Sequence, residues 1–296
     1  MSDRINVAAW IDDVSCTTQF LVRHMNGKGG KHTPDWGRLE LLSLDTLGHY
    51  VEGHVVWEGD GSALNLEDPR ARISTDGRVL LGLTAVVQKE TEFIPYPAIC
   101  MLPSVHWQGK LENLKVATYL DPGKNMTPLT DTAWVYRKET DNFILTVVNW
   151  DGKISKVTGS IRLDSVPFWA THKIGTTMPP IWMTENEALF ILHGVSKIGD
   201  MYHYALGRAR LVRNGDMFTI LDVDPKPFLT PDDVAQTALT LNIQERHQFR
   251  RVVYCCGGIV RGTTDQTKEL SLYVNIGDSQ TVEVVYPLSE LTKGWW

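Results

Sequence analysis

Residues 66–84 read Leu-Glu-Asp-Pro-Arg-Ala-Arg-Ile-Ser-Thr-Asp-Gly-Arg-Val-Leu-Leu-Gly-Leu-Thr. The pair Asp76-Gly77 stands between a short strand-like segment, Arg72–Ser74, and a mostly apolar run that begins at Val79. An Asp-Gly pair between two such segments is a strong signal for a tight hairpin, because the turn requires positive φ. The stretch therefore predicts antiparallel β-structure.

A compact charged group comes directly before this hairpin. Glu67, Asp68 and Arg70 surround Pro69, which fixes its own φ and favours an extended conformation at the preceding residue. A carboxylate held at the entrance of a strand, beside an arginine, suits acid chemistry. A surface turn with an ion pair is the equally good alternative from these residues alone.

The composition limits the classes of function. The chain has 296 residues, 43% of them hydrophobic and 22% charged, which is ordinary for a soluble globular protein. Its formal charge of −6 argues against nucleic acid or an anionic membrane as the main partner. No apolar run approaches the roughly 18 residues that span a bilayer, and no signal-peptide pattern is recognised at the N-terminus.

The four cysteines, Cys16, Cys100, Cys255 and Cys256, show neither a disulfide framework nor zinc-ligand spacing. We therefore expect a cytoplasmic protein without a metal.

Strand signals recur along the whole chain and indicate an all-β fold. The segments rich in β-branched, aromatic or leucine residues are Phe20–Arg23, Val79–Val87, Thr132–Arg137, Phe143–Trp150, Ala188–Val195, Tyr202–Val212, Phe218–Val223, Arg251–Cys255, Leu270–Ile276 and Thr281–Val285. One short helix is predicted within Pro231–Leu241. Blades of roughly 40 to 60 residues suit a β-propeller of five or six blades, with residues 1–296 as a single domain.

Three further stretches, taken with Glu67–Arg70, carry a resemblance to a known family. They are Pro179–Ile181 with Ala188–Val195 and Tyr204–Gly207; Leu221–Pro225 with Phe228–Pro231; and Val252–Gly257 with Leu272–Asp278. Their order resembles glycoside hydrolase family 130, the β-mannoside phosphorylases and β-mannosidases, over about residues 23–285. The resemblance implies a five-bladed β-propeller with its active site in the central pocket.

The family pattern also implies roles for individual residues. Asp68 matches the catalytic acid, which in the phosphorylases is thought to act through a hydroxyl of the mannose. Glu67, Arg70 and Asp278 match substrate-binding positions, although Arg70 could instead orient Asp68 through an ion pair. The implied phosphate contacts are Lys124, Asn125, Arg137, His193 and Tyr204. In place of an asparagine-containing segment that the family carries before its first blade, this chain has Val14–Gln19.

The implied reaction is inverting phosphorolysis of a terminal β-mannoside by inorganic phosphate, giving α-mannose 1-phosphate, which is formally a glycosyltransferase activity. An inverting displacement needs an acid on the leaving-group side and a nucleophile on the opposite face. Phosphate would be a co-substrate, no further cofactor is expected, and homo-oligomerisation is left open.

Two alternatives remain at this point. A β-mannosidase on the same fold would use water and a carboxylate base, for which Asp232, Asp233 and Glu245 are candidates. A lectin-like propeller would bind mannosides without turnover.

Overall fold

The computed structural model describes residues 3–27, 36–59, 64–150, 154–163, 165–240, 251–264, 266–277 and 279–296. These residues form a five-bladed β-propeller that is nearly all β-structure, so the prediction of the fold is confirmed. Neighbouring strands within each blade pair in antiparallel orientation. None of the described helices is long and apolar enough to cross a membrane.

The first three blades each contain four strands. Blade 1 consists of β1 (Asp3–Asp12), β2 (Thr17–Gly27), β3 (Trp36–Leu44) and β4 (Tyr50–Glu58). Blade 2 consists of β5 (Leu64–Ile73), β6 (Val79–Lys89), β7 (Glu92–Leu102) and β8 (Lys115–Val116). Blade 3 consists of β9 (Gly123–Pro128), β10 (Ala133–Lys138), β11 (Ile144–Trp150) and β12 (Ile154–Arg162).

The last two blades differ in strand number. Blade 4 contains β13 (Lys173–Thr176), β14 (Ile181–Trp182), β15 (Glu187–Ile198), β16 (Met201–Asn214) and β17 (Met217–Val223). Blade 5 has three described strands, β18 (Val253–Arg261), β19 (Glu269–Ile276) and β20 (Gln280–Pro287). The helices are α1 (Ala235–Thr240), inside the predicted helical segment, α2 (Leu288–Thr292) and a 3₁₀ turn at Phe168–Ala170.

The first strands of the blades line the central channel, where β18 contacts β1, β1 contacts β5, β5 contacts β9 and β9 contacts β13. Irregular register marks several of them, at Ile5/Val7, at Glu67/Arg70 and at Cys255/Gly257. A bulge of this kind re-aims a side chain and increases the local twist.

Three residues on these inner strands take the left-handed conformation. Asn6 has φ 52°, Asp68 has φ 53° and Asn125 has φ 65°. Asparagine and aspartate tolerate this region better than other non-glycine residues. The bulged inner strands therefore bring polar side chains of three blades to the channel.

The backbone at Asp68 corrects two local expectations. β5 begins at Leu64, so Asp68 lies inside the strand and not at its entrance. Its φ of 53° is left-handed and not extended, because the bulge between Glu67 and Arg70 overrides the preference that Pro69 imposes on the residue before it.

Large side chains pack between the blades around the channel. Trp169, buried at the 3₁₀ turn, covers Gly194 and Gly207, at both of which a Cβ would collide with the indole ring. Its indole Nε1 donates to the backbone carbonyl of Asp224 at 3.1 Å. The ring of blades closes where β18 packs against β1, and Asn275 Nδ2 of blade 5 donates to Asn6 Oδ1 at 3.1 Å.

Candidate active site

A polar cavity of about 250 Å³ lies at the channel and is lined by residues of all five blades. Blade 1 contributes Asn6 and Arg23, blade 2 Glu67 and Asp68, blade 3 Lys124, Asn125 and Arg137, blade 4 Lys173, His193 and Tyr204, and blade 5 Val252 and Tyr254. Two carboxylates and several cations therefore share one space of the size of a small polar ligand.

The Asp68 carboxylate is held by hydrogen bonds from two other blades. Asn6 Nδ2 donates to its Oδ1 at 2.6 Å, and the Tyr254 hydroxyl donates to its Oδ2 at 3.1 Å. Arg23 Nη1 lies 3.8 Å from Oδ1. Because both oxygens accept bonds from fixed partners, the orientation of the carboxylate is set before any ligand binds.

Arg70 supports this strand from below the cavity and does not line it. The side chain is fully buried, and it donates to the backbone carbonyls of Asp68 at 2.6 Å and Thr176 at 3.1 Å and to the Tyr254 hydroxyl at 2.5 Å. The expected substrate contact through Arg70 is therefore not available in this structure. Arg70 also does not form the alternative ion pair with the Asp68 carboxylate. Its guanidinium donates instead to the backbone carbonyl of Asp68.

Glu67 is neutralised by two cations. Arg23 Nη2 donates to its Oε1 at 2.9 Å, and Lys124 Nζ lies 3.6 Å from its Oε2. Burial acts to raise the pKa of Glu67, but the charges of Arg23 and Lys124 outweigh it, and the pKa is lowered. Glu67 is accordingly ionised at neutral pH and suited to accept hydrogen bonds, not to donate a proton.

The wall formed by blades 3 and 4 is cationic. Lys124, Arg137 and Lys173 all line it. Arg137 is buried and pairs with Glu139 at 3.1 Å, whereas Lys173 has no carboxylate partner among the described residues. Lys173 Nζ lies 5.6 Å from the centre of the Tyr204 ring. Burial first, and then the charges of Arg137 and Lys124, lower the pKa of Lys173 to about 8.

His193 reaches the same wall from β15 of blade 4. It pairs in register with Gly175 of β13, and its imidazole passes over this residue, where a side chain would collide with it. The ring packs edge-on to Tyr254 at 4.7 Å and parallel to Tyr204 at 6.4 Å. Burial first, and then the charges of Arg70 and Lys173, lower the pKa of His193 well below its usual value.

The imidazole of His193 is therefore neutral at pH 7. The ring also interacts with the backbone of Thr176. A neutral imidazole offers one donor and one acceptor, which suits contact with a ligand oxygen.

Most of the predicted site residues meet in this cavity. Glu67, Asp68, Lys124, Asn125, Arg137, His193 and Tyr204 line it, Arg70 lies beneath it, and Asp278 falls outside the described residues. Of the candidate hydrolytic bases, Asp232 lines a different cavity and Asp233 accepts hydrogen bonds from Thr230. Glu245 falls outside the described residues.

Four polar lining residues were not predicted from the sequence. They are Asn6, Arg23, Lys173 and Tyr254. Val14 lies in the exposed turn after β1, whereas Asn6, on β1 itself, donates to the Asp68 carboxylate. An asparagine therefore reaches the cavity from a position earlier in the chain than Val14–Gln19. An isolated asparagine inside an apolar strand, Ile5-Asn6-Val7, was the available signal.

The described residues contain no group of three or more His, Cys, Asp or Glu side chains that could hold a metal ion. The donors in the cavity are instead cationic nitrogens, amides and hydroxyls. This set is suited to bind oxyanions and sugar hydroxyls.

Solved structures similar to this chain include several proteins named as glycoside-active enzymes. A glycosyl hydrolase from Bacteroides ovatus superposes with a TM-score of 0.67 and 14% identity, over 96% of this chain and 84% of that chain. A structure described under the GH130 family of mannoside phosphorylases, with hydrolases that target β-1,2-mannosidic linkages in Candida mannan, gives a TM-score of 0.61 and 14% identity, over 96% and 84%.

An endo-arabinase from Bacteroides thetaiotaomicron gives a TM-score of 0.57 and 11% identity, over 97% of this chain and 94% of that chain. No family model and no curated protein sequence matches this chain. At these identities the likeness shows the fold, a five-bladed propeller that this chain shares with a structure described under the mannoside phosphorylase family.

Proposed function

We propose that this protein is an inverting glycoside phosphorylase that cleaves a terminal β-mannoside with inorganic phosphate to give α-mannose 1-phosphate. The observation that carries the proposal is that one cavity has a carboxylate on one side and a group of cations on the other. A tethered carboxylate, Asp68, stands among blades 1, 2 and 5, and the cations Lys124, Arg137 and Lys173 stand on blades 3 and 4. The mannoside as substrate is supported by the resemblance of the sequence motifs and by the similar fold of the structure described under the GH130 family, which contains mannoside phosphorylases and hydrolases of β-1,2-mannosidic linkages.

The cationic wall favours phosphate as the nucleophile. Lys173 is held near Arg137 and Lys124 without a carboxylate of its own in the described chain, and their repulsion contributes to its lowered pKa. A bound dianion would relieve this repulsion, since its oxygens can accept charge-assisted hydrogen bonds from all three cations. Neutral His193 and the Tyr204 hydroxyl add donors that carry no charge.

Asp68 is the proton donor in this proposal. Glu67 is fixed as an anion by Arg23 and Lys124, so it accepts hydrogen bonds from the sugar and leaves the acid role to its neighbour. Because Asp68 is already oriented before substrate binds, no free energy is spent on ordering it in the transition state.

The same wall disfavours water as the nucleophile. An inverting hydrolase places a base roughly 6.5–9.5 Å from the acid, with room for water between them. The carboxylates among the described lining residues are Glu67 and Asp68, which are consecutive on one strand, and Glu67 is ion-paired. Neither is placed on the wall of blades 3 and 4.

The experiment is incubation of the purified protein with a panel of β-mannosides, with and without inorganic phosphate, followed by chromatography of the products. We expect mannose 1-phosphate only when phosphate is present, and no product from Asp68→Asn. Asp222→Asn, an exposed carboxylate on β17, is the matched control and should keep wild-type turnover.

Two results would overturn the proposal. Free mannose released without phosphate would identify a β-mannosidase. Mannoside binding without turnover in either condition would identify a sugar-binding propeller.

A further inference from the structure

The Tyr254 hydroxyl forms hydrogen bonds with Asp68 and with two further side chains, and the proposed function assigns this tyrosine no role. Its hydroxyl lies 2.5 Å from Arg70 Nη2, 2.7 Å from Asn125 Nδ2 and 3.1 Å from Asp68 Oδ2. These partners belong to blades 2 and 3, whereas Tyr254 belongs to blade 5. The side chain is 8% exposed and lines the cavity.

The three contacts determine where the phenolic proton points. A tyrosine hydroxyl has one proton to donate and two lone pairs to accept with. Arg70 and the amide nitrogen of Asn125 have only protons to offer, so they occupy both lone pairs. The Cys256 side chain also contacts this hydroxyl, but its sulfur is only a weak acceptor. The single proton of Tyr254 is therefore donated to Asp68 Oδ2, and the hydroxyl cannot accept a hydrogen bond from that carboxyl group.

Asn6 makes the corresponding contact on the other oxygen. Its Nδ2 donates to Asp68 Oδ1, and its own Oδ1 accepts from Asn275 Nδ2, which fixes the orientation of the amide. Each oxygen of Asp68 therefore faces a donor that cannot accept in return. A proton carried by Asp68 must lie on a lone pair that neither donor occupies.

We propose that Tyr254 is a positioning residue that, together with Asn6, directs the proton of Asp68 into the cavity and towards the substrate. The inference rests on the proposed function, in which Asp68 is the acid. Without the Tyr254 hydroxyl, the carboxyl proton could turn to the vacated position beneath the cavity, and a protonated Asp68 could sit in an unproductive rotamer.

The same contact also affects the pH range of activity. A hydrogen bond donated to a carboxylate favours the ionised form, so its loss favours the protonated form and moves the alkaline limb of kcat/KM to higher pH. The other charged and titratable groups around this pair are Arg23, Glu67, Arg70, Lys124, Lys173, His193 and Cys256. All of these remain in Tyr254→Phe, so a shift between the two proteins reports the hydroxyl.

The test compares wild type with Tyr254→Phe and with Tyr273→Phe. Tyr273 is a buried tyrosine of the same blade whose hydroxyl accepts from Arg261 at 3.3 Å, away from the cavity. For Tyr254→Phe we expect kcat to fall about tenfold or more, with KM for the mannoside nearly unchanged, because a lost hydrogen bond to a charged group has an effect of this order. The alkaline limb should move up by about one pH unit, and Tyr273→Phe should show neither effect.

A second measurement does not depend on turnover. The carbon-13 resonance of the Asp68 carboxyl group, assigned by its absence from Asp68→Asn, is titrated in each protein. We expect a higher titration midpoint in Tyr254→Phe than in wild type and Tyr273→Phe. Equal midpoints in all three proteins would overturn the positioning role even if the enzyme is active. A shifted midpoint in a protein that turns over no mannoside would leave the contact established and reject the proposed function instead.

Discussion

The amide of Asn6 lies 2.6 Å from the carboxylate of Asp68, although 62 residues separate the two in the chain. Both residues adopt positive φ on the inner strands of adjacent blades, at 52° and 53°. Asn6 is held in turn by Asn275 of the last blade. The closure of the propeller ring therefore contributes directly to the orientation of the candidate acid.

Asn6→Ala should lower kcat roughly ten- to a hundredfold with a smaller change in KM, because an unoriented acid loses part of the rate that general acid catalysis supplies. Steady-state kinetics on a mannoside that the wild type cleaves would measure this. Asn186→Ala, an exposed asparagine, is the matched control. Wild-type kcat in a folded Asn6→Ala protein would show that Asn6 does not orient Asp68.

Lys173→Met should weaken sulfate binding about tenfold, the effect expected for the loss of one charge-assisted hydrogen bond. Sulfate is the probe because it does not titrate near neutral pH. The pKa of Lys173 is lowered to about 8, so the lysine loses its charge above that pH, and wild-type affinity should fall there. Lys173→Met should lack this decline.

Isothermal titration calorimetry between pH 6.5 and 9.5 would measure both effects. Lys197→Met is the matched control, since Lys197 also lies over a tyrosine ring, that of Tyr202 at 5.8 Å, but does not line the cavity. Equal sulfate affinities in the two variants would remove Lys173 from the anion site.

His193→Gln should make the free energy of unfolding less dependent on pH below pH 6.5. The folded protein holds His193 neutral, with a pKa well below the value of 6.5 expected in the unfolded chain. Below pH 6.5 the unfolded state therefore binds the additional proton, and stability is lost as the pH falls, by up to about 1.4 kcal/mol per pH unit from this one group.

Urea denaturation at several pH values between 5 and 7.5 would give the slope of the free energy of unfolding. The slope, and not the absolute stability, is the readout, because the substitution itself can change packing. An unchanged slope in His193→Gln would mean that the imidazole titrates alike in the folded and unfolded chain.

Gly175→Ala should displace the imidazole of His193 and impair anion binding. A Cβ at this position would lie 2.8 Å from His193 Nε2 and 2.8 Å from Asn125 Oδ1, closer than side-chain atoms pack. Gly159→Ala on β12 is the matched control, since a Cβ there meets nothing within 4 Å. Sulfate affinity and thermal stability would be measured for both, and wild-type values in Gly175→Ala would show that the imidazole does not need this space.

The architecture could be predicted because its signals are local. Alternation within strands and pairs such as Asp76-Gly77, where Gly77 has φ 79°, act over a few residues. The strand β7 (Glu92–Leu102) gave a weaker signal because it contains Pro95 and Pro97, which cannot donate to a neighbouring strand. Near these prolines its pairing with β8 is limited to Ala98 and Ile99.

The candidate site could be predicted only in part, because its residues come from all five blades. Asp68 and His193 stand in recognisable motifs, whereas Asn6 and Lys173 have ordinary neighbours in sequence and acquire their roles by proximity in space. Tyr254 lies in the motif stretch Val252–Gly257, but its contacts with the other blades appear only in the folded chain. Arg70 illustrates the converse. The resemblance implies a substrate contact for Arg70, or an ion pair with Asp68, but its burial and its hydrogen bonds to Thr176 and Tyr254 make it a support of the strand.

The most direct test of the central claim, that one cavity joins an acid to an anion site, is a phosphorus-31 NMR time course with a β-mannoside and inorganic phosphate. We expect the phosphate resonance to decline as that of α-mannose 1-phosphate grows in equal amount with wild type, and no change with Asp68→Asn. Free mannose accumulating in the wild-type sample while the phosphate resonance stays constant would contradict it.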